Sequence, residues 1–367
     1  MKFASGRRVT LRRAVPSDRQ RAYRCLTDSD LTPRLFGAPL FGDRPVPGFV
    51  GFSERFGARY FDGSRPYEGR GAVIGAAGGD VGFLAWHRID LLRDVVELDV
   101  WLAAERHCGQ GIASEAIDLA CLWLQAEYGV NRFLMRPSRR NLRGLRALRR
   151  AGFRETDLDP AAVERDFALP PADYCDACLL FRILPLPLAM PMEGRGRTLV
   201  FVDSEFTDLT DPALISLGAV TESGATFYAE LNGWEDASCS PFVRSVVLPL
   251  LGESPQPRPA AAAGFRSWLE QAAGHRPLLI VSDSGFDRWA LVELFGDENL
   301  PSGAHWQRVP IAYEELDRVA QEMRLRRHHA LDDALALRRA VLGEKAVERA
   351  RRQDREAVAA RAGGQRQ

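Results

Sequence analysis

Apolar positions cluster along this chain in runs that fix a set of short strands. Leu199 to Val202 is a brief apolar run, the mark of a buried central strand. Ala213–Val220 reads as a second strand and Thr226–Leu231 as a third, after a turn at Ser223-Gly224. Upstream, Val9–Arg13 alternates like a strand, and Asp80–Trp86 and Val95–Leu102 read as a pair. Ser114–Tyr128 places Ile117, Cys121, Leu122 and Leu124 at helical spacing and stops at Gly129. Arg132–Met135 predicts a strand, and Asn141 to Phe153 a helix with a glycine stop at Gly152. Residues 30–70 are rich in glycine, proline and aromatics and predict no regular element. Farther on, Gly252–Gly264 reads as a Pro/Ala loop, Phe265–Ala273 and Trp289–Phe295 as helices, and Arg276–Ser282 as a buried strand. A long last helix carries Ala330, Leu331, Ala334, Leu335, Leu337 and Val341.

Leu184–Arg197 has three prolines and two glycines, which suit neither a helix nor a central strand. It divides the pattern into a domain at 1–184, a linker at 185–197, a second domain at 198–343 and a charged helical or disordered tail at 344–367. A length of 367 residues is comfortable for two cores. The formal net charge is zero, so local patches rather than a global field would draw nucleic acid. Six cysteines stand in no regular framework, and no signal peptide or long apolar span is visible. The expectation is a reduced, soluble, cytoplasmic protein with no membrane partner. Cys175-x-x-Cys178 lacks a second ligand pair for zinc and predicts two buried cysteines.

In the first half, Arg106-His-Cys-Gly109-Gln110-Gly111-Ile112-Ala113 joins the strand carrying Glu97 to a helix. Small residues at a helix N-terminus let backbone N–H groups approach an anion. The order R-x-x-G-x-G-x-A in this context resembles the pyrophosphate loop of GNAT-fold N-acetyltransferases, and Asn141…Gly152-Phe153 is similar to that family's later helix. The stretch is similar to ribosomal-protein N-terminal and aminoglycoside 6′-N-acetyltransferases. The resemblance implies a GNAT-like mixed sheet with helices. It implies acetyl-CoA held by Arg106, Gly109, Gln110, Gly111, Ile112, Ala113 and Asn141. Glu97 is the candidate base, acting on an amine through water. Many members carry a tyrosine where this chain has Leu148, which transfers no proton. The arginines of 139–150 form a partial stripe at i, i+3 and i+7, suited to RNA phosphates, CoA phosphates or a solvated face.

In the second half, Asp203 and Glu205 share one face of a strand at i and i+2, where like charges call for a divalent cation. Gly285-Phe286-Asp287 follows the strand at 276–282, and His328-x4-Asp333 opens the last helix. In this order the segments resemble the DEDDh 3′–5′ exonucleases, with a ribonuclease H-like mixed sheet flanked by helices. The resemblance implies that Asp203, Glu205, Asp287 and Asp333 hold two Mg2+ or Mn2+ ions and that His328, rather than His329, is the general base. Asp283 replaces a common asparagine; it is either a metal ligand or a cap for the turn at Ser284-Gly285. Phe206 and Trp289 are either stacking platforms for a terminal base or core residues. The implied substrate is RNA with a free 3′ end, with DNA also compatible, and a homodimer is left open as the assembly.

The whole chain thus reads as an α/β protein of two domains, a two-metal 3′–5′ exoribonuclease fused to an acetyl-CoA-dependent N-acetyltransferase of unknown amine acceptor. Two alternatives stand beside it. Acetyl transfer to an amine or protein is the main activity and the nuclease-like half recruits RNA, or the N-terminal half only binds CoA.

Overall fold

The computed structural model describes residues 2–36, 41–156, 158–159, 163–165, 169, 172–185, 196–252, 254–295, 300, 304–309 and 311–343. Most of the expected linker and all of the expected tail lie outside these residues. The chain divides into two compact units, one of Met1–Gln125 with Val130–Pro185 and one of Ala126–Gly129 with Leu186–Gln367. Among the described residues no helix is long and apolar enough to cross a membrane.

The first unit is built on an eight-stranded sheet. Its strands are β1 (Lys2–Ser5), β2 (Thr10–Arg13), β3 (Arg70–Ala76), β4 (Gly79–Asp90), β5 (Val95–Leu102), β6 (Arg132–Met135), β7 (Arg154–Glu155) and β8 (Leu180–Ile183). The order is β1-β2-β3-β4-β5-β6-β8-β7. Only β5 and β6 run parallel among these neighbours, joined through a helix at Ile112–Tyr128 as parallel strands require. Their pairing stops at Glu97–Leu134, while β5 continues to Leu102. The two strands therefore part at Glu97, and the sheet opens there.

Residues 30–70, without a sequence pattern, fold in part into short helices. After α1 (Arg19–Thr27) come α2 (Phe49–Arg55) and α3 (Arg59–Asp62). Phe52, Phe56, Tyr60 and Phe61 from α2, α3 and their junction pack on Val73, Phe83 and Trp101 of the sheet. Burial of these aromatic faces, each worth about 1.5–3 kcal/mol against water, compensates for weak local helix propensity. Two further helices follow, α4 (Ile112–Tyr128) and α5 (Leu142–Arg150).

The second unit has a five-stranded sheet of β9 (Thr198–Phe206), β10 (Leu214–Thr221), β11 (Thr226–Glu230), β12 (Leu278–Ser282) and β13 (Ala304–Arg308), in the order β11-β10-β9-β12-β13. The first three form an antiparallel meander, and β9, β12 and β13 run parallel. Alternate residues of β9 divide between two cores: Val200, Val202 and Phe206 on one face, Leu199 and Phe201 on the other. Asp203 and Glu205 continue the second row. The first face is covered by α6 (Arg258–Ala273) and α7 (Gly285–Phe295), the second by α8 (Tyr313–Met323) and α9 (residues 330–343). The predicted Pro/Ala loop is corrected in part. Helix α6 starts at Arg258, because Pro259 suits a first turn and the alanines after it are the best helix formers.

Gly218 of β10 lies opposite Asp203 in register. An added Cβ there would stand 2.2 Å from Leu331 N, 2.3 Å from Ala330 C and 2.4 Å from Ala330 O. The start of α9 thus rests directly on the sheet beside the two strand carboxylates, an approach only glycine allows.

Candidate functional sites

Where β5 and β6 part, the first unit holds a cavity of about 1200 Å³. Gly109, Gly111, Ile112, Ala113 and Asn141 line it, as the sequence expects of a cofactor loop. Gly109 and Gly111 take left-handed conformations (φ 74° and 81°), which bring the loop round into the first turn of α4. Arg106 and Gln110 do not line the cavity. The Gln110 amide donates to Arg106 O at 2.6 Å, and Arg8 Nη1 donates to Gln110 O at 3.2 Å, so these residues shape the loop from outside. Asn141 caps α5, its Oδ1 accepting from Gly144 N at 2.9 Å.

Glu97 takes a different place from the catalytic one expected. It is buried, and Arg136 donates from Nε to one oxygen at 2.7 Å and from Nη2 to the other at 2.9 Å. Arg136 also reaches Glu164 at 3.0 Å. With both carboxylate oxygens held by a buried guanidinium, Glu97 is a strut at the splay point.

Two residues along the same strand, Asp99 also faces the cavity. His87 Nε2 lies 3.0 Å from Asp99 Oδ2, and His87 Nδ1 lies 2.8 Å from the Tyr60 hydroxyl. Arg55 donates to Asp99 at 3.0 Å. Burial opposes ionisation of Asp99, but the His87 hydrogen bond and the Arg55 charge outweigh it and hold the carboxyl well below its ordinary range. Sequence reasoning missed this group. Asp99 was visible as the i+2 neighbour of Glu97, whereas Tyr60 and Arg55 come from the stretch with no pattern. Leu148 lines the cavity and is buried, with no hydroxyl to offer. Of the arginines at 139–150, Arg139 and Arg149 pair with Glu155 and Arg140 with Asp43 and Asp176, while Arg143, Arg146 and Arg150 line the cavity, Arg143 paired there with Glu105. Cys175 is exposed and Cys178 buried, in place of two buried cysteines.

In the second unit two groups of side chains converge. Glu205, His328 and Asp333 each offer a ligand atom within 4.8 Å of the others, and so do Asp203, Asp283 and Asp287. Asp203 and Glu205 come from β9, Asp283 follows β12, Asp287 lies in the first turn of α7, and Asp333 lies in the first turn of α9. His328 has φ 64°, in the left-handed region, and its N–H donates to Asp333 Oδ2 at 2.9 Å. Its Nε2 lies 3.3 Å from the Tyr313 hydroxyl. His329 is buried and stacks on Tyr228 with ring centroids 4.7 Å apart.

Crowding shows in the acid–base balance. Burial and the neighbouring carboxylates push Asp203 and Asp287 well above the ordinary carboxylate range. Burial and Asp333 push Glu205 up to about 8. Asp283 and Asp333 are also raised, mainly by burial, although the Arg327 charge opposes the shift at Asp333. Burial and Arg327 lower His328. Such a cluster resists full ionisation alone and suits a hard cation with oxygen ligands. Asp287 Oδ2, buried with no hydrogen-bond partner, fits that use. Phe206 is core rather than platform: it is buried and packs on Phe286 and Trp289 at centroid distances of 5.8 and 5.6 Å.

Comparison with known proteins bears on the first unit. The family model for the acetyltransferase (GNAT) domain matches residues 8–154. No curated protein matches the chain. Among solved structures, the aminoglycoside acetyltransferase AAC(6′)-Ib with coenzyme A is 18% identical, over 48% of this chain and 94% of its own, at a TM-score of 0.37. A ribosomal-protein-serine acetyltransferase from Vibrio cholerae, described as putative, is 15% identical, over 50% and 98%, at 0.38. The ribosomal L7/L12 α-N-protein acetyltransferase RimL with coenzyme A is 17% identical, over 50% and 98%, at 0.39. The N-terminal part of this chain carries an acetyltransferase (GNAT) domain.

Proposed function

We propose that the main activity is acetyl transfer from acetyl-CoA to an amine, carried out in the cavity of the first unit. This reverses the order in which the sequence alone ranks the two activities, because the family match falls on the N-terminal part. The observation that carries it is the glycine loop at Gly109–Gly111, within that match, opening on a cavity at the splay of β5 and β6. The loop and the start of α4 offer backbone N–H groups to a pyrophosphate, and Arg146 and Arg150 supply positive charge to the same wall. Transfer makes a C–N bond, breaks the thioester C–S bond and removes one proton from the amine. With Glu97 tied to Arg136 and Asp99 held as a carboxylate by His87 and Arg55, the group on the wall suited to take that proton is the His87 imidazole, oriented by Asp99 and Tyr60. The test is calorimetric titration with acetyl-CoA, then thiol release on adding amines from aminoglycosides to peptide N-termini. Binding with turnover supports the reading. Binding without turnover across the panel favours a CoA-binding module, the reading that Leu148 suggests.

A second reading concerns residues 198–343 and rests on the two side-chain groups described above. We infer a metal-dependent 3′–5′ exonuclease, acting on RNA in preference to DNA. The strand order β11-β10-β9-β12-β13 supports the ribonuclease H-type resemblance. Asp203, Glu205, Asp287 and Asp333 would hold Mg2+ or Mn2+, and bound divalent cations there would supply Lewis-acid activation of water and charge stabilisation at the leaving 3′ oxygen. His328, neutral near pH 7 because burial and Arg327 lower it, is placed to accept a proton. Asp333 fixes its backbone. Shortening of a 3′-tailed RNA that needs metal and is lost in Asp203→Ala supports this reading; no shortening of RNA or DNA by wild type would overturn it.

A further inference from the structure

Asp283 lies outside the four carboxylates that the nuclease resemblance assigns, so its place in the cluster needs its own cause. A turn-capping role is already filled by its neighbour. Ser284 Oγ accepts from Phe286 N at 3.1 Å at the start of α7, and Ser282 Oγ donates to Ser284 O at 2.9 Å. Arg308 Nε donates to the backbone oxygen of Asp283 at 2.9 Å, which leaves the carboxylate without that partner. The groups facing it are the carboxylates of Asp203 and Asp287.

Charge balance differs between the two groups of ligands. Arg327 pairs with Asp333, so the group of Glu205, His328 and Asp333 has a cation beside it. Among the described residues, no basic side chain forms an ion pair with Asp203, Asp283 or Asp287; the charges of Arg308 and Arg327 act on Asp283 only from farther off. Asp287 is 2% exposed; the Ser204 hydroxyl donates to its Oδ1, and its Oδ2 is buried with no partner. Three carboxylates within 4.8 Å repel one another and resist burial unless a cation sits among them.

We propose that Asp283 is a further ligand of the divalent cation held by Asp203 and Asp287, so that this position is closed by three carboxylates. The proposal rests on the metal-dependent reading of the second unit. An asparagine there would offer one neutral oxygen; the aspartate adds a full negative charge, and affinity for a hard cation rises with ligand charge. The position at Asp203, Asp283 and Asp287 therefore fills first, and the one at Glu205 and Asp333, beside the base His328, fills second and more weakly.

The test is a Mn2+ titration of the full chain, followed by the signal of free Mn2+ in paramagnetic resonance and by the rise in melting temperature. Wild type, Asp283→Asn and Asp283→Glu are compared. The expected result is two ions in wild type, with the tighter one weakened roughly 10- to 100-fold in Asp283→Asn and largely kept in Asp283→Glu. A turn cap predicts the opposite order, because asparagine caps turns and glutamate does not. Wild-type Mn2+ affinities in a folded Asp283→Asn would overturn the proposal and leave the metal site standing. If wild type itself bound no Mn2+, the metal-dependent reading would fall, and the proposal with it. Circular dichroism of each metal-free variant checks that it is folded, and the Glu variant decides the case if the Asn variant is not.

Discussion

On the metal-dependent nuclease reading of residues 198–343, replacing Gly218 by alanine should damage the second unit's chemistry without touching its charges. The added Cβ would meet three backbone atoms of Ala330 and Leu331 at 2.2–2.4 Å, whereas ordinary contacts begin near 3.4 Å. No side-chain rotation relieves a clash with backbone. β10 has little room to retreat, since β9 and β11 are paired to its two edges. The start of α9 must therefore lift by about 1 Å, a forced overpacking that costs about 1–3 kcal/mol. Asp333 and His328 both hang on that segment, through the His328 N–H to Asp333 and the Asp333 N–H to His329 O at 3.0 Å. A displacement of about 1 Å in a catalytic group costs on the order of 100-fold in rate. The assay is metal-dependent shortening of a 3′-tailed RNA, with melting of the same sample and acetyl-CoA binding as internal control. The expected outcome is a roughly 100-fold slower nuclease, a melting temperature lower by several degrees and unchanged acetyl-CoA binding. Wild-type nuclease rate and melting in Gly218→Ala would refute the claim that helix height over the sheet sets this site.

Further outcomes follow from the acid–base and ion-pair geometry. Glu205, raised to about 8, lies above its unfolded value of roughly 4.3, so the stability linked to it is complete below the unfolded value and is lost as pH rises through 8. In metal-free samples the melting advantage of Glu205→Gln over wild type should grow from about pH 5 to about pH 8.5; a constant difference would contradict the shift. Glu97→Gln should act as a stability variant, lowering the first unit's stability by about 1–3 kcal/mol, because one of the two carboxylates on Arg136 loses its charge while Glu164 keeps its pairing; loss of turnover at wild-type stability would return Glu97 to the role of base. His87→Gln should slow amine acetylation by about 100-fold or more at unchanged acetyl-CoA affinity, and wild-type turnover would remove His87 from the proton path.

The parts of the fold that could be read from sequence are the short, mainly apolar runs that become strands buried on both faces. Val95–Leu102 and Arg132–Met135 form the predicted strands, and the β9–β10–β11 meander lies within a residue or so of its expected limits. The wall of the acetyltransferase cavity from α2 and α3 was hidden. Its aromatics pack all round a short, glycine- and proline-flanked stretch, so no single period survives. Glu97 misled because a strand glutamate facing a cavity looks like a base until its partner is seen. Arg136 lies far along the chain and one residue beyond β6, so only the paired strands bring it close. In the second unit the acidic residues were visible as motifs, but Gly218 was not. Its role depends on how closely α9 approaches β10, a tertiary distance that no local pattern carries.

If the first unit acts on acetyl-CoA, the full chain must bind it, and titration calorimetry measures that binding. Wild type should bind one equivalent. Gly111→Val should not, because a β-branched residue at φ 81° is strained by at least about 1–2 kcal/mol, and relieving that strain draws the loop away from the start of α4. Heat of binding that disappears in the variant is the predicted result; a wild-type chain that takes up no acetyl-CoA would contradict the account.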